Sequence, residues 1–329
     1  MTATGARSPA ADSPPPELVA RFSEALERLW PEGGKLGLAV SGGPDSMAML
    51  LLAEAAIPGQ FEVATVDHGL RPEAKDECAL VQAACDARGI PCKVLTVDVG
   101  KGNVQAKARE ARYQALDDWA VTRVQAIATA HHADDQAETL IMRLNRGSGL
   151  QGLAGVWEIG DTDLWIVPVI RPLLRFRRSE LRQVIAGSAI AVAHDPSNED
   201  ESFERVRIRK LLKDADWLDP VAWAQSASHL AEAHDALQTA ALWAWFEFVS
   251  ARDDEVRLRV RGPRELDRIL ASRCVQRLGG DARGRDIAAL VDRLYQGKGG
   301  NVGGVLVTVG YGETEPVWTF RREPPRRKG

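Results

Sequence analysis

The sequence predicts an α/β fold: an open, doubly wound parallel sheet, followed by a helical linker and a small α+β domain. Three observations predict it. Short apolar runs alternate with helical patterns between residues 36 and 170, the rhythm of parallel strands and crossover helices. The loop Ser41-Gly42-Gly43-Pro44-Asp45-Ser46 joins the first such run to a Met/Leu/Ala-rich helix. Polar clusters, Asp67-His68 and His131-His132, end two later runs, and open sheets bind ligands outside the carboxyl ends of their strands.

Taken in order, Leu18, Phe22, Leu26 and Leu29 form the apolar stripe of a helix over Glu17 to Trp30. Leu36 to Val40 is a short buried strand, and Met47 to Ala56 a helix. Phe61 to Val66 is the second strand, Glu73 to Arg88 a helix and Cys92 to Val97 the third strand. A long helix over Val104 to Thr122 carries Arg109, Arg112 and Tyr113. Val124 to Thr129 is the fourth strand, Ala133 to Asn145 a helix, and Leu164 to Ile170 the fifth strand. Beyond two arginine-rich stretches, Asp219-Pro220 opens a long helical pattern to Ser250. Glu255 to Arg261 alternates as a strand. Arg264 to Leu278 and Asp286 to Tyr295 are helical, and Asn301 to Val309 and Val317 to Arg321 are strand-like.

The 329 residues suggest two domains, and 45% hydrophobic content is enough for a sizeable core. Residues 1–16 read as a disordered Ala/Ser/Pro-rich tail, with the α/β domain at 17–215, a helical linker at 216–252 and the C-terminal domain at 253–329. Net charge is only −4, so contact with nucleic acid requires local basic patches. Arg171 to Arg182 holds five arginines and one acid, and Arg205 to Lys213 five basic residues and no acid. Such density on one short helix favours RNA over a merely solvated face. Cys78, Cys85, Cys92 and Cys274 contain no C-x-x-C spacing and read as small buried hydrophobes in a reducing compartment. No apolar run reaches membrane-spanning length and no signal peptide is evident, so a cytoplasmic location is expected.

The Gly/Ser loop is an anion site. A strand feeding such a loop into a helix aims backbone N–H groups and the positive helix end at phosphate. Ser41 and Ser46 add hydroxyls, while Gly42 and Gly43 let the backbone approach closely. Asp45 would repel phosphate unless a metal ion, expected to be Mg²⁺, stood between them. There is no Walker A lysine and no G-x-G-x-x-G. In Ala130-His131-His132-Ala133-Asp134-Asp135-Gln136-Ala137-Glu138, the two acids Asp135 and Glu138 fall on one helical face. They suit Mg²⁺ or an ammonium group, although acids in a first helical turn also complement the dipole. Arg146 to Gly155 is a Gly-rich loop, either a helix cap and connection or a lid facing RNA.

SGGPDS resembles the signature of the PP-loop ATP pyrophosphatases. Together with VDHGLR, AHHADDQAET, RGSGLQGLAG, Arg171-Pro172-Leu173-Leu174, Arg177 to Leu181, and His194-Asp195-Pro196-Ser197-Asn198, it resembles the tRNA(Ile)-lysidine synthetases. The resemblance covers roughly residues 35–213. One position departs: Val206 stands in Arg205-Val206-Arg207-Ile208-Arg209 where the family has Asn, removing an amide donor and acceptor.

The resemblance implies a ligase that forms a carbon–nitrogen bond. ATP would adenylate the C2 oxygen of the wobble cytidine in the CAU anticodon of tRNA(Ile), and free L-lysine would then displace AMP. It implies ATP binding by Ser41, Gly42, Gly43, Pro44, Asp45, Ser46, Asp67 and His68, with Asp45 also holding Mg²⁺. It implies catalytic roles for Asp45, Arg112, His131 and Asp135, lysine binding by Asp135 and Glu138, and tRNA binding by Arg109, Arg146, Arg205, Arg207, Arg209 and the C-terminal domain. The oligomeric state is left open. The nearest alternative is a PP-loop enzyme that thiolates tRNA bases, against which the cysteine spacing argues.

Overall fold

The computed structural model describes residues 13–69, 73–97, 104–160, 166–194, 200–215, 217–312 and 315–323. It separates into two compact units, Met1–Ala231 and Glu232–Gly329.

The first unit contains α1 (Pro16–Leu29), β1 (Leu36–Ala39), α2 (Pro44–Ala56), β2 (Phe61–Asp67), α3 (Glu73–Asp86), β3 (Cys92–Thr96) and α4 (Val104–Ala120). It continues through β4 (Ala126–Ala128), α5 (Ala133–Asn145), α6 (Leu150–Leu153), β5 (Val169–Ile170), α7 (Arg178–Ala186) and α8 (Glu204–Asp214). The strands form a parallel sheet in the order β3-β2-β1-β4-β5.

Both faces of this sheet are covered, as near-continuous apolar strands require. Leu36, Leu38 and Val63 pack on one face with Phe22 of α1 and the buried run Met47 to Ala53 of α2. Ala64 and Ile127 pack on the other with Leu116 and Trp119 of α4. Gly37 makes that second face possible: a Cβ there would lie 2.8 Å from the Trp119 ring. α2 is apolar all round because it is enclosed all round.

In the first unit two elements differ most from their sequence reading. The strand expected over 164–170 is confined to Val169–Ile170, with 161–165 outside the described residues. The Ile166 and Val167 N–H groups donate instead to the Asp117 carboxylate, at 3.0–3.1 Å, and Pro168 has no N–H to offer a ladder. α2 starts three residues early, at Pro44, whose fixed φ suits a first helical position. The expected N-terminal tail and the basic C-terminal tail fall largely on residues 1–12 and 324–329, outside the described residues.

The dividing point of the chain lies inside α9 (Pro220–Phe248). The second unit then holds β6 (Val249–Ala251), β7 (Glu255–Arg259), α10 (Arg264–Arg277), α11 (Gly284–Tyr295), β8 (Gly300–Val302), β9 (Val305–Tyr311) and β10 (Pro316–Arg322). Its antiparallel sheet runs β6-β7-β10-β9-β8. Val256, Leu258, Val305, Val307, Trp318 and Phe320 face the two helices, while Arg257, Arg259 and Arg321 point outward. The single strand expected over 301–309 is a hairpin, because Gly303 (φ +55°) and Gly304 (φ +76°) form a two-residue turn with both φ values positive.

Candidate functional site

The strand order reverses between β1 and β4, each of which pairs with the other while β2 lies to one side and β5 to the other. A crevice opens at the carboxyl edge of such a reversal. The chain delivers residues 41–46 there from β1 and His131-His132 from β4.

The 41–46 loop is closed on itself. Ser46 Oγ accepts the Ser41 N–H at 3.1 Å and donates to the Gly43 carbonyl at 3.0 Å. It lies 3.2 Å from Ser41 Oγ. With the Ser46 proton spent on Gly43, the Ser41 hydroxyl is the donor of that last pair. Gly42 has φ +85° and a Cβ there would meet the Glu77 carbonyl at 3.2 Å, so only glycine fits. Asp45 sits in the first turn of α2. Its Oδ1 is buried, with no hydrogen-bond partner among the described residues. At the end of β2, Asp67 accepts the Gly69 N–H at 2.9 Å and is buried, with His68 half-buried beside it. Leu70 to Pro72 lie outside the described residues.

His132 N-caps α5. Its Nδ1 accepts the Asp135 N–H at 3.3 Å, and the Asp135 carboxylate accepts the His132 N–H in return at 3.2 Å. The His132 ring is fully buried, with Nε2 3.4 Å from an oxygen of Asp45 and 3.4 Å from one of Asp135. The neighbouring Asp134 acts elsewhere. It accepts the Arg178 N–H at 2.7 Å and so caps α7.

Glu138, one turn along α5, has a side chain only 1% exposed and meets three guanidinium groups. Arg178 lies at 3.1 Å, Arg205 at 2.7 Å and Arg209 at 2.8 Å. Arg205 also reaches Asp135 at 3.1 Å. The three arginines thus face three carboxylates, Asp45, Asp135 and Glu138. Burial raises the pKa of each carboxyl, but the neighbouring cations outweigh it and hold all three below the usual carboxylate range. At Asp45 the opposing groups are His132, Arg178 and Arg209.

His131 differs from His132. It is half-buried, with Nδ1 3.0 Å from the Thr129 hydroxyl. Desolvation, then the Arg171 charge and those of Arg109 and Arg205, push its pKa down to about 3, against the pull of Asp135. The ring is therefore a neutral hydrogen-bonding group near pH 7. The guanidiniums of Arg109 and Arg112 stack on Tyr113, at 4.7 and 5.1 Å from the ring centre.

Of the arginines expected to meet RNA, Arg205 and Arg209 turn inward onto Glu138. Arg207 donates to the carbonyls of Glu201 and Ser202, and Arg146 pairs with Glu204. The Gly-rich loop after α5 is clamped to the helix: Gln136 donates to the Val156 carbonyl and accepts the Val156 N–H, both at 2.7 Å. Arg178 and Arg171 are visible in the sequence only as members of an arginine-rich stretch. His132 is visible only as one of a pair, with nothing to separate it from His131.

The comparisons with known proteins agree with this geometry. Residues 16–215 match the PP-loop domain family. The tRNA(Ile)-lysidine synthase of Novosphingobium aromaticivorans is 42% identical over 317 residues, covering 94% of this chain and 95% of the relative. The chain belongs to the tRNA(Ile)-lysidine synthase family. A second lysidine synthase, from Zymomonas mobilis subsp. mobilis, is 36% identical over 93% of this chain and 94% of its own. The U34-tRNA thiolase NcsA of Methanococcus maripaludis, solved with its 4Fe–4S cluster, shares the fold at a TM-score of 0.53 and 16% identity, covering 65% of this chain and 78% of its own. In this lysidine synthase family member the four cysteines are free, and Cys78, Cys85 and Cys274 are buried. Among the described residues, no helix is long and apolar enough to cross a membrane.

The charge network makes the fold acid-labile. The folded-state pKa values of Asp45, Asp135 and Glu138 are depressed, so their contribution is present above the unfolded values and lost as pH falls through the folded ones. His131 adds to this. Its pKa is depressed from 6.5 to about 3, so the unfolded chain binds the extra proton first as pH drops below 6.5. Calorimetric Tm should therefore fall continuously from pH 7 to pH 4. His131→Gln should make the fall above the carboxylate range shallower, leaving the part due to His234, whose pKa burial also lowers. A Tm that holds level down to pH 4 would contradict the charge arrangement.

Proposed function

We propose that the chain joins L-lysine to C2 of the wobble cytidine in the CAU anticodon of tRNA(Ile), consuming ATP and releasing diphosphate and AMP. It is on this reading a ligase forming a carbon–nitrogen bond, working in the cytoplasm, where tRNA and ATP are found. The observation that carries it is the placement of two acids, Asp135 and Glu138, beside the phosphate loop, with Asp135 joined to Asp45 through His132. A phosphate site alone suits any nucleotide enzyme. A phosphate site beside paired carboxylates suits one whose second substrate is a cation.

In the first step the cytidine C2 oxygen attacks the α-phosphorus of ATP, and the bond to the β-phosphate oxygen breaks. The 41–46 loop holds the departing diphosphate through its backbone N–H groups at the start of α2, and the Ser41 hydroxyl turns from Ser46 to join them. The buried Asp45 Oδ1, unpartnered among the described residues, fits a ligand to Mg²⁺. No cluster of three or more His, Cys, Asp or Glu side chains suited to a metal occurs among the described residues, so ATP phosphates would complete the shell. When bound, that ion would offset the charge of the leaving diphosphate. Arg112 and Arg109, stacked on Tyr113, are placed to meet phosphate, and Asp67 and His68 the nucleoside side of ATP. Neutral His131 contributes a hydrogen bond to the activated base rather than a charge.

In the second step the bound lysine ammonium gives a proton to the Asp135 carboxylate, the amine attacks C2, the C2–O bond breaks and AMP leaves with the oxygen. Lysine enters as an ammonium. The Arg205 guanidinium bridges Asp135 and Glu138 and is the most exposed of the three arginines, at 42%. The ammonium takes its place there, and Arg205 moves out to a phosphate of the tRNA, joining Arg146 and Arg207 on that substrate, while Arg209 stays on Glu138. The C-terminal unit holds the tRNA body, with Arg257 and Arg321 exchanging Glu255, and Arg259 exchanging Glu315, for phosphate.

The direct test is nucleoside analysis of tRNA(Ile) after incubation with enzyme, ATP and lysine. Lysidine should appear only when all three are present, with one AMP per modified tRNA. Unmodified cytidine, or a sulfur-containing base in the presence of a sulfur donor, would reject the reading. Asp135→Asn should raise the lysine KM about tenfold or more, the worth of one charge-assisted contact, while adenylation in the absence of lysine changes less. An unchanged KM would assign Asp135 to the network alone.

A further inference from the structure

We infer that His132 is a positioning residue that couples the two half-sites, holding Asp45 of the phosphate loop and Asp135 of the ammonium site in register through one imidazole ring. The inference rests on the function proposed above and gives a role in both half-reactions to a residue to which neither step there assigns one.

The geometry leaves the ring one tautomer. His132 Nδ1 accepts the Asp135 N–H at 3.3 Å, so in the neutral ring this nitrogen carries no proton and Nε2 does. The Nε2–H then faces Asp45 and Asp135, 3.4 Å from an oxygen of each. Neither approach is a well-aligned hydrogen bond, and Nε2 is a buried nitrogen without a full partner among the described residues. A donor in that position is shared by two carboxylates and committed to neither. It lowers their mutual repulsion, and a displacement of one changes its bond to the other.

Each carboxylate serves a different substrate. Asp45 opens α2 behind the phosphate loop, and Asp135 opens α5. Burial leaves no room for water to replace the imidazole, since its side chain is 0% exposed. A shift of Asp45 toward the loop on ATP binding would leave Nε2–H to Asp135 and steady it for the ammonium. His131 cannot substitute, because its ring is engaged with Thr129.

The two halves of the imidazole can be tested separately. Asn reproduces the Nδ1 acceptor and so the helix cap, but it is too short to reach the two carboxylates. Gln places an amide N–H near the Nε2 position and abandons the cap. His132→Asn should melt within a few degrees of wild type. It should slow adenylation in a lysine-free single turnover at least tenfold and also raise the lysine KM at least tenfold. His132→Gln should melt lower, yet recover most of both losses.

The reverse order, an active Asn variant beside an inactive Gln variant, would make His132 a helix cap and overturn the inference. So would a loss confined to one half-reaction, since a bridge must affect both. Collapse of both variants in thermal melting would assign the ring to the core and overturn it as well. These outcomes are read against the wild-type enzyme, whose formation of lysidine tests the proposed function independently.

Discussion

Asp45→Asn should abolish AMP formation while the protein stays folded. The substitution is nearly isosteric and touches no apolar core contact. Its stability cost comes from weakened contact with His132, Arg178 and Arg209, and from a lost first-turn charge on α2. The helix-end effect is about 0.3–1 kcal/mol. The catalytic cost is of another order. Asp45 Oδ1 is a buried oxygen without a partner among the described residues, and an amide nitrogen or a weaker oxygen there cannot hold a divalent ion between the loop and phosphate. Removing one preorganised electrostatic group from a developing charge typically costs about 10²–10³ in rate. The expected result is thus a fall of at least about a hundredfold in single-turnover adenylation. ATP should still bind by calorimetry, but with an affinity no longer sensitive to Mg²⁺. Near-normal turnover, or an unchanged Mg²⁺ response, would remove Asp45 from the proposed role.

Much of this site was legible in the sequence because its parts are local. The Ser41–Ser46 loop is contiguous, and its strand–loop–helix setting follows from flanking apolar patterns. Asp135 and Glu138 share a helix face by spacing alone. The sheet was legible for the same reason, except where a side chain intervened: Asp117 takes the backbone N–H groups of Ile166 and Val167, and nothing in either segment announces that contact. The non-local features were hidden. Glu138 and Arg209 are far apart in the chain and meet only because α5 and α8 pack together. The difference between His131 and His132 depends on which ring lies at the helix N-cap and which lies beside Thr129. A dipeptide pattern cannot decide that.

The packing of α8 against α5 changes what a carboxylate substitution should do. On spacing alone, Glu138 resembles Asp135, and either would be expected to act on lysine. In the structure Glu138 is the hub. Arg178, Arg205 and Arg209 all rest on it, and its side chain is 1% exposed, against 17% for Asp135. Gln can accept one of these hydrogen bonds but offers no charge to three guanidiniums. Breaking a buried pair by removing one partner costs about 3–5 kcal/mol. The low end applies, because Arg205 and Arg209 are 42% and 31% exposed and can rehydrate, while Arg178 at 15% cannot. About 3 kcal/mol in a domain of this size corresponds to a Tm lower by roughly 6–12 °C. Glu138→Gln should therefore lose stability first and lysine affinity with it, whereas Asp135→Asn, which keeps an oxygen for the His132 N–H and meets Arg205 at 3.1 Å and Arg178 at 3.6 Å, should lose lysine affinity with a smaller fall in Tm. Adding Arg178→Met to the Glu138→Gln variant should restore only a small part of the Tm, because the least hydrated cation is removed but its remaining partner, Asp135 at 3.6 Å, loses it as well. It should not restore the lysine KM. A Glu138→Gln variant that melts with the wild type and binds lysine weakly would leave Glu138 its lysine contact and remove it as the hub of the arginine network.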